Sequence, residues 1–101
     1  MIIEHITLRP NAESRAALEA AVAEAVPIFK AAKGCLGIEM ARGVEDPEAY
    51  IILIRWATLE DHTEGFRGSE LFTQWRALAG PHFGAPPVVV HFDVTLPATV
   101  F

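Results

Sequence analysis

The stretch Ala49-Tyr-Ile-Ile-Leu-Ile-Arg-Trp56 decides the fold of this chain. Read at the two-residue period of a β-strand, both of its faces are apolar, and Arg55 is its one charged residue. Its β-branched and aromatic side chains favour a strand over a buried helix, and the run is too short to cross a membrane as a helix. We therefore predict a central strand of a sheet that is covered on both sides.

The composition indicates one globular domain that spans residues 1–101. Hydrophobic residues make up 51% of the chain and charged residues 21%, which is typical of a compact fold. The mean hydropathy of +0.29 is high for a small monomer and indicates apolar surface reserved for a partner or a ligand. The net charge is −5 and no basic run occurs, so we expect no nucleic-acid partner.

The single cysteine and the first residues bear on the location of the protein. Cys35 cannot form an internal disulfide bond and fits a reducing compartment. The start of the chain lacks the basic segment and long apolar core of a signal peptide. We therefore expect a cytoplasmic protein with no membrane partner.

The first half of the chain predicts a strand, a helix and a hairpin. Ile2–Leu8 alternates as a strand, and Asn11 is a good N-cap for the helix that follows. Pro27 lies inside the helical pattern and predicts a kink near residues 23–27 or an early end. Cys35–Arg42 reads as a second strand, which turn residues join to the central strand as an antiparallel hairpin. One face of that second strand is predicted to carry Leu36, Ile38 and Met40.

The second half predicts two short helical segments and a last strand, Val88–Thr95. Thr58 and Asp61 resemble a capping box for the first segment, and Ser69 can cap the second. The predicted inner face of the first segment consists of Leu59, His62, Thr63 and Phe66, and the second segment bears Leu71, Phe72, Trp75 and Leu78.

This order of elements, βαββαβ, predicts an α+β fold of the ferredoxin-like type with a four-stranded antiparallel sheet. Two helices cover only one face of such a sheet, and the other face is apolar as well. Leaving that face in water costs roughly 25 cal/mol for each Å² of apolar area. A second copy is the simplest cover, so we predict a homodimer that packs through the open sheet faces, a dimeric α+β barrel.

The run from Trp56 to Trp75, Trp-Ala-Thr-Leu-Glu-Asp-His-Thr-Glu-Gly-Phe-Arg-Gly-Ser-Glu-Leu-Phe-Thr-Gln-Trp, resembles the antibiotic biosynthesis monooxygenase domain family. Gly34-Cys35-Leu36 and the closing Pro87-Val-Val-Val-His-Phe92 share the resemblance, which extends from residue 1 to about residue 95. It implies a dimeric α+β barrel. It also implies an oxygenase of phenols or quinols that uses neither metal nor organic cofactor, although the family includes haem-degrading enzymes and proteins of unknown role.

The haem-degrading branch of the family uses an Asn on the first strand, a Trp in the second helical region and a His beyond it. The resemblance places Glu4, Phe66 and Arg76 at these positions. None of the three residues matches, so the sequence disfavours haem degradation.

A cofactor-free oxygenase needs a general base, a donor for the substrate oxyanion and a dry pocket. His62 is our first candidate for the base, because the pKa of histidine lies near working pH; the alternative is a buried histidine bonded to a carbonyl or to a carboxylate such as Glu60. His91 is similar, and its strand parity decides whether it faces the pocket or the dimer contact. Arg67 could pair with the oxyanion, or with Glu64 or Glu70 on the surface.

Aromatic residues and one loop histidine are the candidates for substrate binding. Tryptophan offers an indole donor and a flat wall to an aromatic ligand, although core packing is the commoner role of such residues. A histidine between Gly80 and Pro86 could gate the pocket mouth or simply be exposed. These candidates are Trp56, Phe66, Phe72, Trp75 and His82. Arg55 needs a partner, which Glu4, Glu39 or Asp93 could supply across the dimer.

The leading hypothesis is a cofactor-independent monooxygenase for a small aromatic phenol or quinol. The alternatives are a non-catalytic homodimer that binds a small hydrophobic ligand and a haem-binding or haem-degrading protein. The four histidines form no metal-binding pattern, and Cys35 has no nearby histidine in the sequence. We therefore expect neither a metal site nor thiol catalysis.

Overall fold

The computed structural model describes residues 1–101 and shows a four-stranded antiparallel sheet with two main helices. The helices are α1 (Arg15–Ala31) and α2 (Glu70–Ala79). The strands are β1 (Ile2–Leu8), β2 (Cys35–Arg42), β3 (Tyr50–Trp56) and β4 (Val88–Asp93). Their order across the sheet is β2-β3-β1-β4, which confirms the ferredoxin-like α+β fold.

The core lies between the helices and one face of the sheet. Tyr50, Ile52, Ile54 and Trp56 of β3 are each at most 1% exposed, because the strand period places all four toward the helices. Phe29 of α1 packs on them from the helical layer. The prediction of a central strand is confirmed, since β3 pairs with β2 on one side and β1 on the other.

Pro27 neither ends nor breaks α1, so that expectation was wrong in part. The helix continues to Ala31, and Pro27 is exposed. The carbonyl that loses its hydrogen bond belongs to Ala23, which is also exposed, so water can satisfy it. Asn11 precedes a 3₁₀ turn and makes no side-chain capping bond, and α1 begins only at Arg15.

A bulge in β2 changes the faces that the alternation predicted. The register shifts between Cys35 and Gly37, so Cys35 lies opposite Trp56 on the helix side and Leu36 is 59% exposed. Beyond the bulge, Ile38 and Met40 pack against the core as predicted.

The segment before α2 is a π-helical turn, Asp61–Phe66, which is wider than the short α-helix that we expected. Thr58 Oγ1 accepts a hydrogen bond from the Asp61 backbone N–H at 3.1 Å, so the predicted cap forms. Leu59 is 38% exposed and does not face the core, since the predicted inner face applied α-helical spacing to a different geometry.

The outer face of the sheet is open and apolar. Val88, Val90 and Phe92 of β4 are 60%, 43% and 53% exposed, and no element of the chain covers them. Arg55 lies on this face and pairs with Glu39 of the same chain, with 3.5 Å between Nη2 and Oε1. None of the helices has the length and apolar character that a membrane crossing needs.

Candidate functional site

A cavity of about 260 Å³ lies between the helical layer and the strands β1 and β4. Five of its ten lining residues are hydrophobic, and the others bring carboxyl, imidazole and guanidinium groups together. A few polar groups in an apolar cavity are typical of small-molecule sites. The lining consists of Glu4, Ile6, His62, Arg67, Phe72, Trp75, Arg76, Phe83, Pro87 and Val89.

The register of the sheet places a carboxyl group at the inner end of this cavity. Glu4 of β1 lies opposite Ile54 of β3 and His91 of β4, on the helix-facing side, and it is only 4% exposed. Its Oε1 accepts a hydrogen bond of 3.0 Å from the indole Nε1–H of Trp56. The same oxygen lies 3.3 Å from His62 Nε2. One carboxyl oxygen is thus held from two sides.

His62 is buried between the carboxyl group and a second imidazole. The π-helical turn directs it inward, where it is 2% exposed and stacks on Trp56 with 5.3 Å between ring centroids. Its Nδ1 shares a hydrogen bond of 2.8 Å with His91 Nε2. Glu4, His62 and His91 therefore form a continuous chain of titratable groups, which we name the inner cluster.

Burial shifts the protonation of the inner cluster toward neutral forms. It raises the pKa of Glu4 from 4.5 to about 7, against the lowering effect of the Trp56 hydrogen bond and of Arg67. It lowers the pKa of His62 to about 4, and the charges of Arg67 and His91 lower it further. The pKa of His91 is also lowered, by burial and then by Arg67. At neutral pH both imidazoles are therefore neutral, and Glu4 is poised to exchange a proton.

The two guanidinium groups of the cavity come from the segments around α2. Arg67 follows the π-helical turn and Arg76 lies in α2, with its Cζ 5.5 Å from the centre of the Phe83 ring. Neither arginine has a salt-bridge partner within the chain, whereas Arg9 and Arg55 do. Their positive charges are therefore free to meet an anionic group of a ligand.

The structure brings together most of the residues that the sequence proposed. His62, Arg67, Phe72 and Trp75 line the cavity, and His91 joins them through His62. The parity of β4 thus directs His91 toward the helices and away from the open sheet face.

Trp56 and Phe66 lie behind the cavity, as part of the core, and do not line it. Trp56 acts on the site through its hydrogen bond to Glu4, and Phe66 packs 5.1 Å from Phe29, centroid to centroid. His82 lies in the 3₁₀ turn Gly80–His82, outside the cavity, so the proposed gating role has no support here.

Three residues line the cavity without a site role predicted from sequence: Glu4, Arg76 and Phe83. For Glu4 a signal existed, because a carboxylate shares one strand face with Ile6 and Leu8, and a buried charge there requires a partner. Arg76 and Phe83 gave no comparable signal, since only the packing of α2 and of the 3₁₀ turn after it brings them to the cavity. No group of three or more His, Cys, Asp or Glu side chains has the geometry to hold a metal ion.

The fold and the cavity describe a ferredoxin-like α+β protein with a small-molecule cavity beside its sheet. The sequence shows to which family it belongs. The chain belongs to the antibiotic biosynthesis monooxygenase family, whose sequence model matches residues 1–78. A proposed antibiotic biosynthesis monooxygenase from Bordetella bronchiseptica is 36% identical, with a TM-score of 0.88 over 94% of this chain and 98% of that chain.

Two further proteins are similar to this chain, one in sequence and one in fold. YczJ, an uncharacterised protein of Bacillus subtilis, is 40% identical over 75 residues, which cover 74% of this chain and 79% of YczJ. SnoaB, a cofactor-independent oxygenase from Streptomyces nogalater, has a TM-score of 0.78 at 10% identity over 95% of this chain and 94% of that chain. At that identity SnoaB supports the fold alone.

Proposed function

We propose that the protein is a cofactor-independent monooxygenase that oxidises a small aromatic phenol or quinol with O₂. The observation that carries the proposal is the meeting of a buried proton-accepting cluster and two unpaired arginines in one cavity, half of whose lining residues are hydrophobic. Its volume of about 260 Å³ is close to the lower end of the range of about 300–1,000 Å³ found for ligand pockets. A small aromatic molecule is the ligand that such a space accepts.

The reaction needs a phenolate and a site that excludes water. The inner cluster accepts the phenol proton, and the guanidinium of Arg67 stabilises the phenolate that results. Phe72, Trp75 and Phe83 form aromatic walls that can orient a flat ring, and a ring bound between them would displace water from the cavity. These contributions raise the concentration of the ionised substrate, which is the form that reacts with O₂.

The oxidation then follows from the chemistry of the phenolate. The phenolate transfers one electron to O₂, which gives a phenoxyl radical and superoxide. The two radicals combine to form a carbon–oxygen bond, and a proton converts the peroxide anion to a hydroperoxide. Loss of the ring hydrogen as a proton and cleavage of the O–O bond release water and leave a carbonyl. One oxygen atom of O₂ enters the quinone product and the other enters water.

The same proposal includes a homodimer that forms through the open sheet face. The support is the exposed apolar surface of Val88, Val90 and Phe92, beside which the ring of His5 packs 5.9 Å from the Phe92 ring. Full burial of each such apolar side chain contributes about 1.5–3 kcal/mol. A second copy of this face buries the whole patch at once by sheet-on-sheet packing.

Oxygen consumption tests the proposed activity. A panel of naphthohydroquinones and polyphenols is incubated with the protein in an oxygen electrode, with autoxidation subtracted. We expect protein-dependent O₂ uptake that is lost in His62→Ala and retained in the matched control His82→Ala, because His82 lies outside the cavity.

Two other outcomes would contradict the activity and identify the alternatives. Thermal stabilisation by members of the panel without O₂ uptake would indicate a binding protein. A Soret band on titration with haem would indicate a haem protein. For the dimer, a monomer mass in sedimentation at micromolar concentration would contradict the proposed contact.

A further inference from the structure

Both ring nitrogens of His62 are already engaged inside the protein. Its Nδ1 lies 2.8 Å from His91 Nε2, and its Nε2 lies 3.3 Å from Glu4 Oε1. The ring also stacks on Trp56 and is 2% exposed, so it cannot turn either nitrogen into the cavity without breaking these contacts. His62 is therefore poorly placed to accept a proton directly from a ligand.

Glu4 has the opposite arrangement, with one carboxyl oxygen held and the other free. Oε1 receives the indole N–H of Trp56, whereas Oε2 has no hydrogen-bond partner within the chain. Only one side-chain polar atom in the chain is both fully buried and without a hydrogen-bond partner, and that atom is Nε of Arg15. Because Oε2 of Glu4 has no partner, it is therefore not fully buried. Since Glu4 lines the cavity, Oε2 is the oxygen that a ligand can reach.

We infer that Glu4 is the general base of this site, and that Oε2 accepts the proton of a phenolic ligand while His62 acts as a positioning residue. The inference rests on the proposed function for its substrate class. In the step, the phenol O–H bond breaks, an O–H bond forms at Oε2, and the electron pair of the broken bond stays on the phenolate oxygen. No electron transfer is involved, so the step needs no further reactant.

The neighbours of Glu4 suit this role. His91 can donate its Nε2–H to Nδ1 of His62, which leaves the His62 proton on Nε2 and directs it to Glu4 Oε1. Together with the Trp56 indole, this proton holds the carboxylate with Oε2 toward the ligand. Arg67 and Arg76 are the other charged groups that line the cavity, and both favour a phenolate there.

Protonation equilibria agree with the geometry. Burial raises the pKa of Glu4 to about 7, which is close to the value that makes a base both available and strong near neutral pH. Burial lowers the pKa of His62 to about 4, which makes its ring a weak proton acceptor. The pH dependence of ligand binding therefore distinguishes the two residues.

The test uses 2,4-dinitrophenolate, a phenol analogue that is already ionised across the whole neutral range. If the phenolate oxygen lies against protonated Glu4, wild-type binding requires that proton and weakens about tenfold per pH unit above about pH 7. Glu4→Gln removes the titrating group but keeps the size and the acceptor for Trp56. We expect its Kd to be independent of pH, whereas His62→Gln and the surface control Glu24→Gln, at an exposed position of α1, keep the wild-type slope.

The outcomes separate this inference from the proposed activity. A slope that persists in Glu4→Gln and disappears in His62→Gln would overturn the assignment, as would failure of dinitrophenolate to bind wild type. If Glu4→Gln fails to fold, the pH dependence of Kd in His62→Gln decides alone: a slope equal to that of wild type supports the assignment, and a lost slope overturns it. Absence of O₂ uptake refutes the oxygenase but leaves the binding test valid. If O₂ uptake occurs, kcat/KM should fall at least 100-fold in Glu4→Gln.

Discussion

Replacement of either member of the buried pair Glu4 and His62 should change how stability depends on pH, in opposite directions. Burial raises the pKa of Glu4 from 4.5 to about 7 and lowers that of His62 from 6.5 to about 4. Between about pH 4.5 and 6.5 the unfolded pair carries one proton, on His62, and the folded pair also carries one, on Glu4. Because the proton count does not change on unfolding, the wild-type pair contributes no slope in this range.

Glu4→Gln leaves only the histidine to titrate. The folded pKa of His62 is lowered, so its contribution to stability is complete above about pH 6.5 and is lost as the pH falls through about 4. The pKa of His62 is 6.5 in the unfolded chain and about 4 in the folded protein, a difference of about 2.5. At about 1.36 kcal/mol per pKa unit this difference corresponds to about 3 kcal/mol. Relative to wild type, the free energy of unfolding of Glu4→Gln should therefore rise by about 3 kcal/mol from pH 4 to 6.5.

His62→Gln leaves only the carboxyl group, and the sign reverses. The folded pKa of Glu4 is raised, so its contribution is complete below about pH 4.5 and is lost as the pH rises through about 7. The difference between the pKa values is again about 2.5. The free energy of unfolding of His62→Gln should fall by about 3 kcal/mol between pH 4.5 and 7, relative to wild type.

Urea unfolding at fixed protein concentration measures both slopes. Trp56 and Trp75 are 0% and 4% exposed, so their fluorescence reports loss of the core. Subtraction of the wild-type curve removes the titration of unrelated groups such as Asp46, and the surface variant Glu24→Gln serves as the matched control. Equal signs for the two variants, or flat difference curves for both, would refute the reasoning about burial.

Three further predictions concern the open face, the core hydrogen bond and a turn. Phe92→Lys should give a monomer mass in sedimentation, because it charges the 53% exposed apolar patch proposed for the dimer; an unchanged dimer would place the contact elsewhere. Trp56→Phe should cost about 1–3 kcal/mol in urea unfolding and raise the pKa of Glu4, whose hydrogen bond it removes. Gly34→Ala should destabilise by about 1–3 kcal/mol, since φ is +79°, whereas Gly37→Ala, which has open space, should not.

The strands could be predicted from sequence because their signal is local. Ile2–Leu8 and Cys35–Arg42 have the predicted bounds, since alternation and turn residues are properties of each segment alone. The bulge at Leu36 was beyond this reasoning, because it depends on how β2 aligns with β3. The early end of α1 predicted at Pro27 was wrong for a related reason. The cost of a lost helical hydrogen bond depends on whether that side of the helix faces water, and this depends on the packing of the helix.

The candidate site was predicted in its parts but not in its connections. His62, His91 and Arg67 were identified by residue type, which a sequence displays. The contact between His62 and His91 joins residues 29 positions apart and requires the register of β4 against β1. Glu4 could be placed on an apolar strand face, but its role follows only from which of its oxygens the fold leaves free.

Burial of Glu4 and His62 in the inner cluster costs free energy on folding, so packing alone does not account for these two residues. A carboxyl group and an imidazole that are both nearly fully buried, with pKa values shifted against their charged forms, cost free energy on folding. Apolar side chains of similar volume in place of a buried ionisable pair are often neutral or stabilising by about 1–4 kcal/mol. The core around Trp56 could therefore pack well without Glu4 and His62. We propose that their position at the wall of a cavity, with one carboxyl oxygen left open, serves proton transfer to a ligand.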